Sequence, residues 1–307
     1  MQIYNNKYWK LKQIKEVWFN LEKDMQKLTE DNMENIFWLE FIVTEFQLNS
    51  LRIDSLAFDI ESNSFVIIEY KRWNSYSVVD QWMSYLSLLL NNKADFVQEL
   101  SRKRNKYIDL KSIDWSQSRV MIIADSFNKY QRESINFKDL AIELWELKQF
   151  NEWTIIYNPI RASNTTESIK TVTKYETNEF DSVNKEIITY NENFHIEWKS
   201  EKIIELYEKI KNYILDIDKD IEISYKKMYI AFKLNNKNII ALKLFVNSVN
   251  IYLHCKYGTL KDEYNLARDI KSIWHHCWNA ENEIKLSSDD NLYKAFDLIK
   301  QTYELEK

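Results

Sequence analysis

The stretch Leu48–Tyr85, LNSLRIDSLAFDIESNSFVIIEYKRWNSYSVVDQWMSY, constrains the fold more than any other part of the chain. It holds two apolar runs of strand length, rich in β-branched and aromatic residues, separated by Asp59-Ile60-Glu61-Ser62-Asn63-Ser64. That polar spacer has turn chemistry, so the pattern predicts a hairpin over Leu51–Phe58 and Phe65–Lys71. Side chains alternate along a strand, which puts Glu69 and Lys71 on one face and Tyr70 on the other. The hairpin brings Asp54 beside Glu69 and Lys71. Charges inside apolar strands are costly to desolvate, and a bound cation or chemistry offsets such a cost. Two carboxylates suit Mg²⁺ or Mn²⁺, and a nearby lysine can handle a proton or stabilise developing charge.

Asp54 followed by Glu69-x-Lys71 at the end of an apolar strand resembles the PD-(D/E)xK nuclease superfamily. Three segments carry the likeness: Arg52-Ile53-Asp54-Ser55-Leu56-Ala57, Val66-Ile67-Ile68-Glu69-Tyr70-Lys71-Arg72, and Val79-Asp80-Gln81 opening a helix. They resemble the branch that includes the archaeal and actinobacterial mismatch endonucleases. Ile53 stands where the motif has its proline. The resemblance implies an α/β restriction-endonuclease-like core, a mixed central sheet flanked by helices. It implies Asp54 and Glu69 as metal ligands, Lys71 as the catalytic lysine and Gln81 as a supporting residue. It also implies a glutamate from the first helix, with Glu34 the first choice and Glu45 the second. The expected activity is Mg²⁺- or Mn²⁺-dependent hydrolysis of DNA, with RNA left open, in a setting such as antiviral defence or restriction. The alternative is an inactive nucleic-acid- or protein-binding subunit that keeps the fold.

The formal net charge of −5 excludes a generally basic coat, so a nucleic acid must meet a local basic patch. Arg102, Lys103, Arg104 and Lys106 form the densest basic run, and Arg72 lies just past the motif. These are the candidate phosphate contacts, although runs of charge are more often solvated. Cys255 and Cys277 are the two cysteines, with no zinc spacing between them, and Cys255 reads as a core residue. No signal peptide or membrane-spanning run is expected, which points to the cytoplasm. A homodimer or a protein partner is compatible with the sequence.

Leu11, Ile14, Trp18, Leu21, Met25 and Leu28 recur at helical steps and predict an amphipathic helix over 7–29. A second helix is expected over Asp31–Leu39 and a strand over Phe41–Leu48. After the hairpin come a helix over Ser77–Leu90 and a short strand or helix end over Ala94–Leu100. Further strands are expected at Arg119–Ala124, Ile142–Leu147 and Trp153–Tyr157. Ser126–Gln131 resembles the same nuclease branch and leads into a helix. The expected domains are 1–158, the nuclease-like core, then a polar linker over 159–195, then a smaller α+β domain over 196–307.

In that last domain a helix is expected over Ile196–Leu215. Three strands (Glu222–Leu234, Asn238–Val246, Val249–Tyr257), a helix at Tyr264–Trp274, a strand at Ile284–Leu286 and a helix at Asp290–Tyr303 follow. Lys227–Lys233, Leu266–Ile270, Ile284–Ser288 and Leu298–Glu304 resemble a small uncharacterised bacterial domain sometimes labelled "predicted transport protein". That domain has a Gly-His-Trp-Gly-like segment where this chain reads Trp274-His275-His276-Cys277-Trp278. Packing or a nucleic-acid contact is expected of that segment ahead of metal binding.

Overall fold

The computed structural model describes residues 2–48, 51–72, 78–135, 141–151, 153–160, 187–188, 190–272 and 280–307. The side chains of residues 78–82 and 134 are outside this description. The chain forms two compact units, Met1–Thr189 and Tyr190–Lys307.

The first unit is built on a seven-stranded mixed sheet. Strand β4 (Glu40–Leu48) pairs antiparallel with β5 (Leu51–Asp59), and β5 with β6 (Ser64–Lys71). β7 (Arg119–Ala124) and β8 (Ile142–Phe150) then run parallel to β6, and β9 (Thr154–Ile160) returns antiparallel on β8. Alternation along β6 gives each face of the sheet its own core. Phe65 and Ile67 pack with Leu86, Leu89 and Phe96 from α3 (Val78–Asn91) and α4 (Lys93–Arg104). Val66, Ile68 and Tyr70 pack with Met25, Met33 and Phe37 from α1 (Glu22–Glu30) and α2 (Met33–Phe37). A short helix, α5 (Lys129–Ser134), follows β7, and a reciprocal Asn128–Gln131 capping box closes its start. Ile187 is buried in the core of this unit, and the Ile188 amide donates to the Ser116 carbonyl (3.1 Å). Residues 161–186, most of the expected linker, lie outside the described residues.

Three expectations are corrected here. The predicted helix over 7–29 is instead a β-hairpin, β1 (Ile3–Lys7) and β2 (Lys10–Ile14), then a short strand β3 (Glu16–Val17), with α1 taking only the last third. The residues that set the helical spacing do not share a buried face: Leu11, Trp18 and Leu21 are exposed. Second, Ala94–Leu100 lies inside α4, which absorbs the basic run as its last turn. Third, the described part of 264–274 carries β14 (Arg268–Asp269) and no helix; Asp262 accepts from the Ala267 amide (2.7 Å) and shapes a loop.

In the second unit, a short helix α6 (Glu192–Ile196) precedes α7 (Glu201–Ile217). An antiparallel sheet runs in the order β10 (Glu222–Tyr225), β11 (Ile230–Leu234), β12 (Lys237–Leu244), β13 (Val249–Leu253), β15 (Asn282–Leu286), β14. The single strand expected over Glu222–Leu234 is therefore two, turned back by a bond from the Lys226 amide to the Tyr229 carbonyl (2.9 Å). Ile203, Tyr207, Ile210 and Ile214 of α7 join Leu298 and Ile299 of α8 (Leu292–Glu306) on one face of this sheet. Cys255 is buried in that core, as expected. Residues 273–279, with His275, His276 and Cys277, lie outside the described residues.

The chain has one glycine and eleven tryptophans, and Trp9, Trp38, Trp153 and Trp198 all take positive φ, between 59° and 65°. The β1–β2 hairpin turns on Tyr8-Trp9, both left-handed; the two-residue β11–β12 turn does the same with Asn235-Asn236. Left-handed backbone costs an L-residue with a bulky Cβ substituent about 1–2 kcal/mol, and asparagine or glycine much less. Trp9 and Trp153 are 96% and 95% exposed, so little packing offsets that cost. Trp9→Gly and Trp153→Gly are each expected to raise unfolding free energy by up to about 1 kcal/mol, read as a higher urea midpoint. A lower midpoint for both would show that the indoles make stabilising contacts in solution.

Candidate active site

The β5–β6 register pairs Ser55 with Ile68, which sets Asp54 opposite Glu69 one step further along. Two backbone bonds fix the pair: the Tyr70 amide donates to Asp54 Oδ2 (3.1 Å) and the Asp54 amide to Glu69 Oε1 (3.3 Å). Lys71, two residues on and therefore on the same face, donates from Nζ to Glu69 Oε2 (3.1 Å). The structure thus brings Asp54, Glu69 and Lys71 together at the C-terminal end of β6, beside the parallel strand β7. In open α/β sheets, ligands bind outside such carboxyl ends.

Glu69 is only 3% exposed. Burial, and then the charge of Asp54, push its carboxyl up to about 7, against the opposing pull of Lys71 and of bonds from Tyr85 and Lys71. Tyr85 comes from α3, is itself buried, and its hydroxyl also lies 3.4 Å from the Arg52 carbonyl. Burial and the neighbouring Glu69 push the Tyr85 phenol upward, which keeps it a proton donor.

Behind this face, polar side chains tie the hairpin to α1. The Gln26 carboxamide donates to the Asp54 carbonyl (2.7 Å) and to Glu30 Oε1 (3.0 Å). Ser55 Oγ donates to the same Glu30 oxygen (2.5 Å) and approaches the Tyr70 hydroxyl (3.3 Å). Sequence reasoning assigned no role to Gln26, Glu30 or Tyr85. The one available signal was polar residues, Gln26 and Glu30, one helical turn apart beside the buried Met25.

The other candidates are placed differently. Glu34 is exposed on α2, whose Met33 and Phe37 pack on the sheet face opposite Glu69 and Lys71, so it does not join the cluster. Glu45 falls between Thr44, paired with Ser55, and Phe46, paired with Ile53, and so stands across from Asp54. It takes a left-handed φ of 52° and forms an ion pair with Arg52 (3.0 Å). Gln81 lies in α3, with its side chain outside the described residues. The Arg72 amide donates to Glu22 Oε1 (2.8 Å) and its guanidinium to the Asn20 carbonyl.

The basic run belongs to the other end of the strands. Arg104 grips Glu40 and stacks over Phe58 (4.8 Å), and Lys103 lies over Phe41 (5.6 Å). Phe58 lies four strand steps from Asp54, about 13 Å. Arg102 pairs with Glu99, and Lys106 is exposed beyond the helix end.

Among the described residues, no three His, Cys, Asp or Glu side chains gather to hold a metal. The donor set is therefore the carboxylate pair. That fits Mg²⁺, which commonly takes one or two carboxylates and fills its shell with water and substrate phosphate. The raised Glu69 carboxyl is a second mark of fit: burial and the charge of Asp54 outweigh the Lys71 ammonium paired with it, and a divalent cation would offset both.

The first unit is thus a mixed α/β domain with a carboxylate–lysine cluster at its strand ends. Comparison with known proteins adds the family. Along 98% of its length the chain is 42% identical, over 302 residues, to an "uncharacterized protein" of Haemophilus influenzae Rd, covering 99% of that protein. The two belong to one family. Residues 193–306, in the second unit, match the family model described as a domain of unknown function, DUF5655. Among solved structures, an EndoMS–double-stranded DNA complex is 20% identical over 37% of this chain and 39% of its own, with a TM-score of 0.24. A repair endonuclease from Pyrococcus abyssi is 18% identical over 43% and 50%, with a TM-score of 0.26.

The Glu69 carboxyl makes stability depend on pH in a defined direction. Between about pH 4.5 and 7 the folded chain holds a proton that the unfolded chain has lost. Stability attributable to this group is therefore full below that window and is lost as pH rises through it. Glu69→Gln is expected to be more stable than wild type above pH 7, by up to about 3 kcal/mol, with the gap closing below about pH 4.5. Equal pH profiles of melting temperature for the two proteins would refute the shift.

Proposed function

We propose that this chain is a metal-dependent nuclease that hydrolyses phosphodiester bonds in DNA. The observation that carries the reading is the convergence of Asp54, Glu69 and Lys71 on one face at the end of β6. The PD-(D/E)xK spacing of the same residues supports it. Asp54 and Glu69 would hold Mg²⁺ or Mn²⁺. A divalent cation there supplies polarisation of the scissile phosphate and a more acidic water.

Lys71 presents its ammonium beside the carboxylates. There it orients the attacking water, or stabilises the charge that develops as the phosphate is attacked. The Tyr85 bond holds the Glu69 carboxyl in place, and Gln26 and Ser55 hold the strand that bears Asp54. Gln81 is carried into the reading by the resemblance. The location that accompanies this function is the cytoplasm.

The test is cleavage of supercoiled, linear and single-stranded DNA, and of RNA, in Mg²⁺ and in Mn²⁺. Lys71→Ala is expected to lower the rate by about a hundredfold or more while its melting curve stays cooperative. Calorimetry should find Mn²⁺ binding that Asp54→Ala abolishes and Lys71→Ala keeps. Because Glu69 holds its proton to about pH 7, apparent Mn²⁺ affinity should fall roughly tenfold per pH unit below that value. Metal binding without cleavage of any substrate would favour a binding subunit that keeps the fold. The absence of both would sink the reading.

A further inference from the structure

The N-terminal hairpin has no place in the carboxylate site, and it is basic in an acidic chain. The first fifteen residues carry Lys7, Lys10, Lys12 and Lys15 and no acidic residue, in a protein of net charge −5. In the β1–β2 register Lys7 faces Lys10 directly and Asn5 faces Lys12. Cross-strand partners share a face, so three lysines project from one side of a two-stranded ribbon. Like charges directly opposite destabilise a hairpin, and every residue from Tyr4 to Gln13 is exposed. A polyanion lying on that face turns the repulsion into attraction.

The register of β8 locates the ribbon. Gln149 and Phe150 pair with β9 on one side and with β3 on the other. β3 therefore occupies the lane of β7, past its C-terminal end, and the Asn151 amide donates to the Lys15 carbonyl (2.9 Å). Lys71 is level with Ala124 and Glu146, four residues before Phe150. Strand spacing and rise then put Glu16, the root of the hairpin, about 15 Å from Lys71. The following segment comes back to the end of β6, where Asn20 and Glu22 bond Arg72. The basic ribbon springs from the edge of the sheet that carries the cluster, whereas Arg104 is committed to Glu40 at the far end of the strands. Each strand is about 17 Å long, the scale of a ribbon that spans a DNA groove.

We propose that the β1–β2 hairpin is a phosphate-binding arm, with Lys7, Lys10 and Lys12 holding the nucleic-acid backbone alongside the carboxylate site. The proposal rests on the nucleic-acid reading of that site, but not on its ability to cleave. The test uses the full chain in EDTA, where hydrolysis is off, and fluorescence anisotropy of labelled duplex DNA, single-stranded DNA and RNA at several salt concentrations. The variants are Lys7→Gln/Lys10→Gln/Lys12→Gln and the matching triple arginine substitution.

The glutamine variant should bind roughly tenfold or more weakly near 50 mM salt, and the slope of log affinity against log salt should drop by about 2–3. The arginine variant should restore both, which separates charge from hairpin folding. Unchanged affinity and slope in the glutamine variant would overturn the arm while leaving the nuclease reading intact. Lysine-dependent binding without any cleavage in Mg²⁺ would keep the arm and remove the nuclease. Absence of nucleic-acid binding by the wild type, or a change confined to oligomeric state, would overturn the arm.

Discussion

Two carboxylates pressed together at the end of a buried hairpin are the constraint on which the first unit turns. Neither Asp54 nor Glu69 is held there by a preference of its own; each is fixed by the main chain of the other's strand. The repulsion between them and the loss of water around Glu69 are unfavourable. What opposes them is a sheet core on both faces, with Phe65 and Ile67 sealed under α3 and α4, and Ile68 and Tyr70 sealed over α1. Such a core can hold an unfavourable pair, and the pair is where chemistry can be done.

This part of the molecule was legible because β-strand alternation is unambiguous over eight residues. Once Glu69 and Lys71 are assigned to one face, the turn at Glu61–Asn63 puts Asp54 opposite them with no further choice. The N-terminus was not legible for the converse reason. Leu11, Ile14, Trp18 and Leu21 repeat at helical intervals, whereas strand alternation covers only Lys10-Leu11-Lys12 before Gln13 breaks it. The turn that decides between the two readings is Tyr8-Trp9, where asparagine or glycine would have announced it. Glu34 was chosen for its place in a first helix. Only the assignment of α2 to a face of the sheet shows that it points elsewhere.

Tertiary partners explain the rest. The run Ser101–Lys106 reads as a loop until Glu40 and the rings of Phe58 and Phe41 are seen to hold its side chains against β4 and β5. Tyr85 stands one turn after Gln81, beside the apolar stripe of its helix, and gains a role only when its hydroxyl is found bonded to Glu69. In the second unit Ile203, Tyr207, Ile210 and Ile214 recur at helical steps and all four are buried on α7, because that helix covers an antiparallel sheet with a single stripe. The split of the expected first strand into β10 and β11 depended on a four-residue reversal at Lys226–Tyr229 that has no glycine or proline to mark it.

The left-handed tryptophans have a consequence at the level of the gene. A tryptophan codon differs from a glycine codon in its first base alone. Positions 9, 38, 153 and 198 therefore each stand a single nucleotide, or a single change in how one codon is read, from the residue that their backbone angles favour.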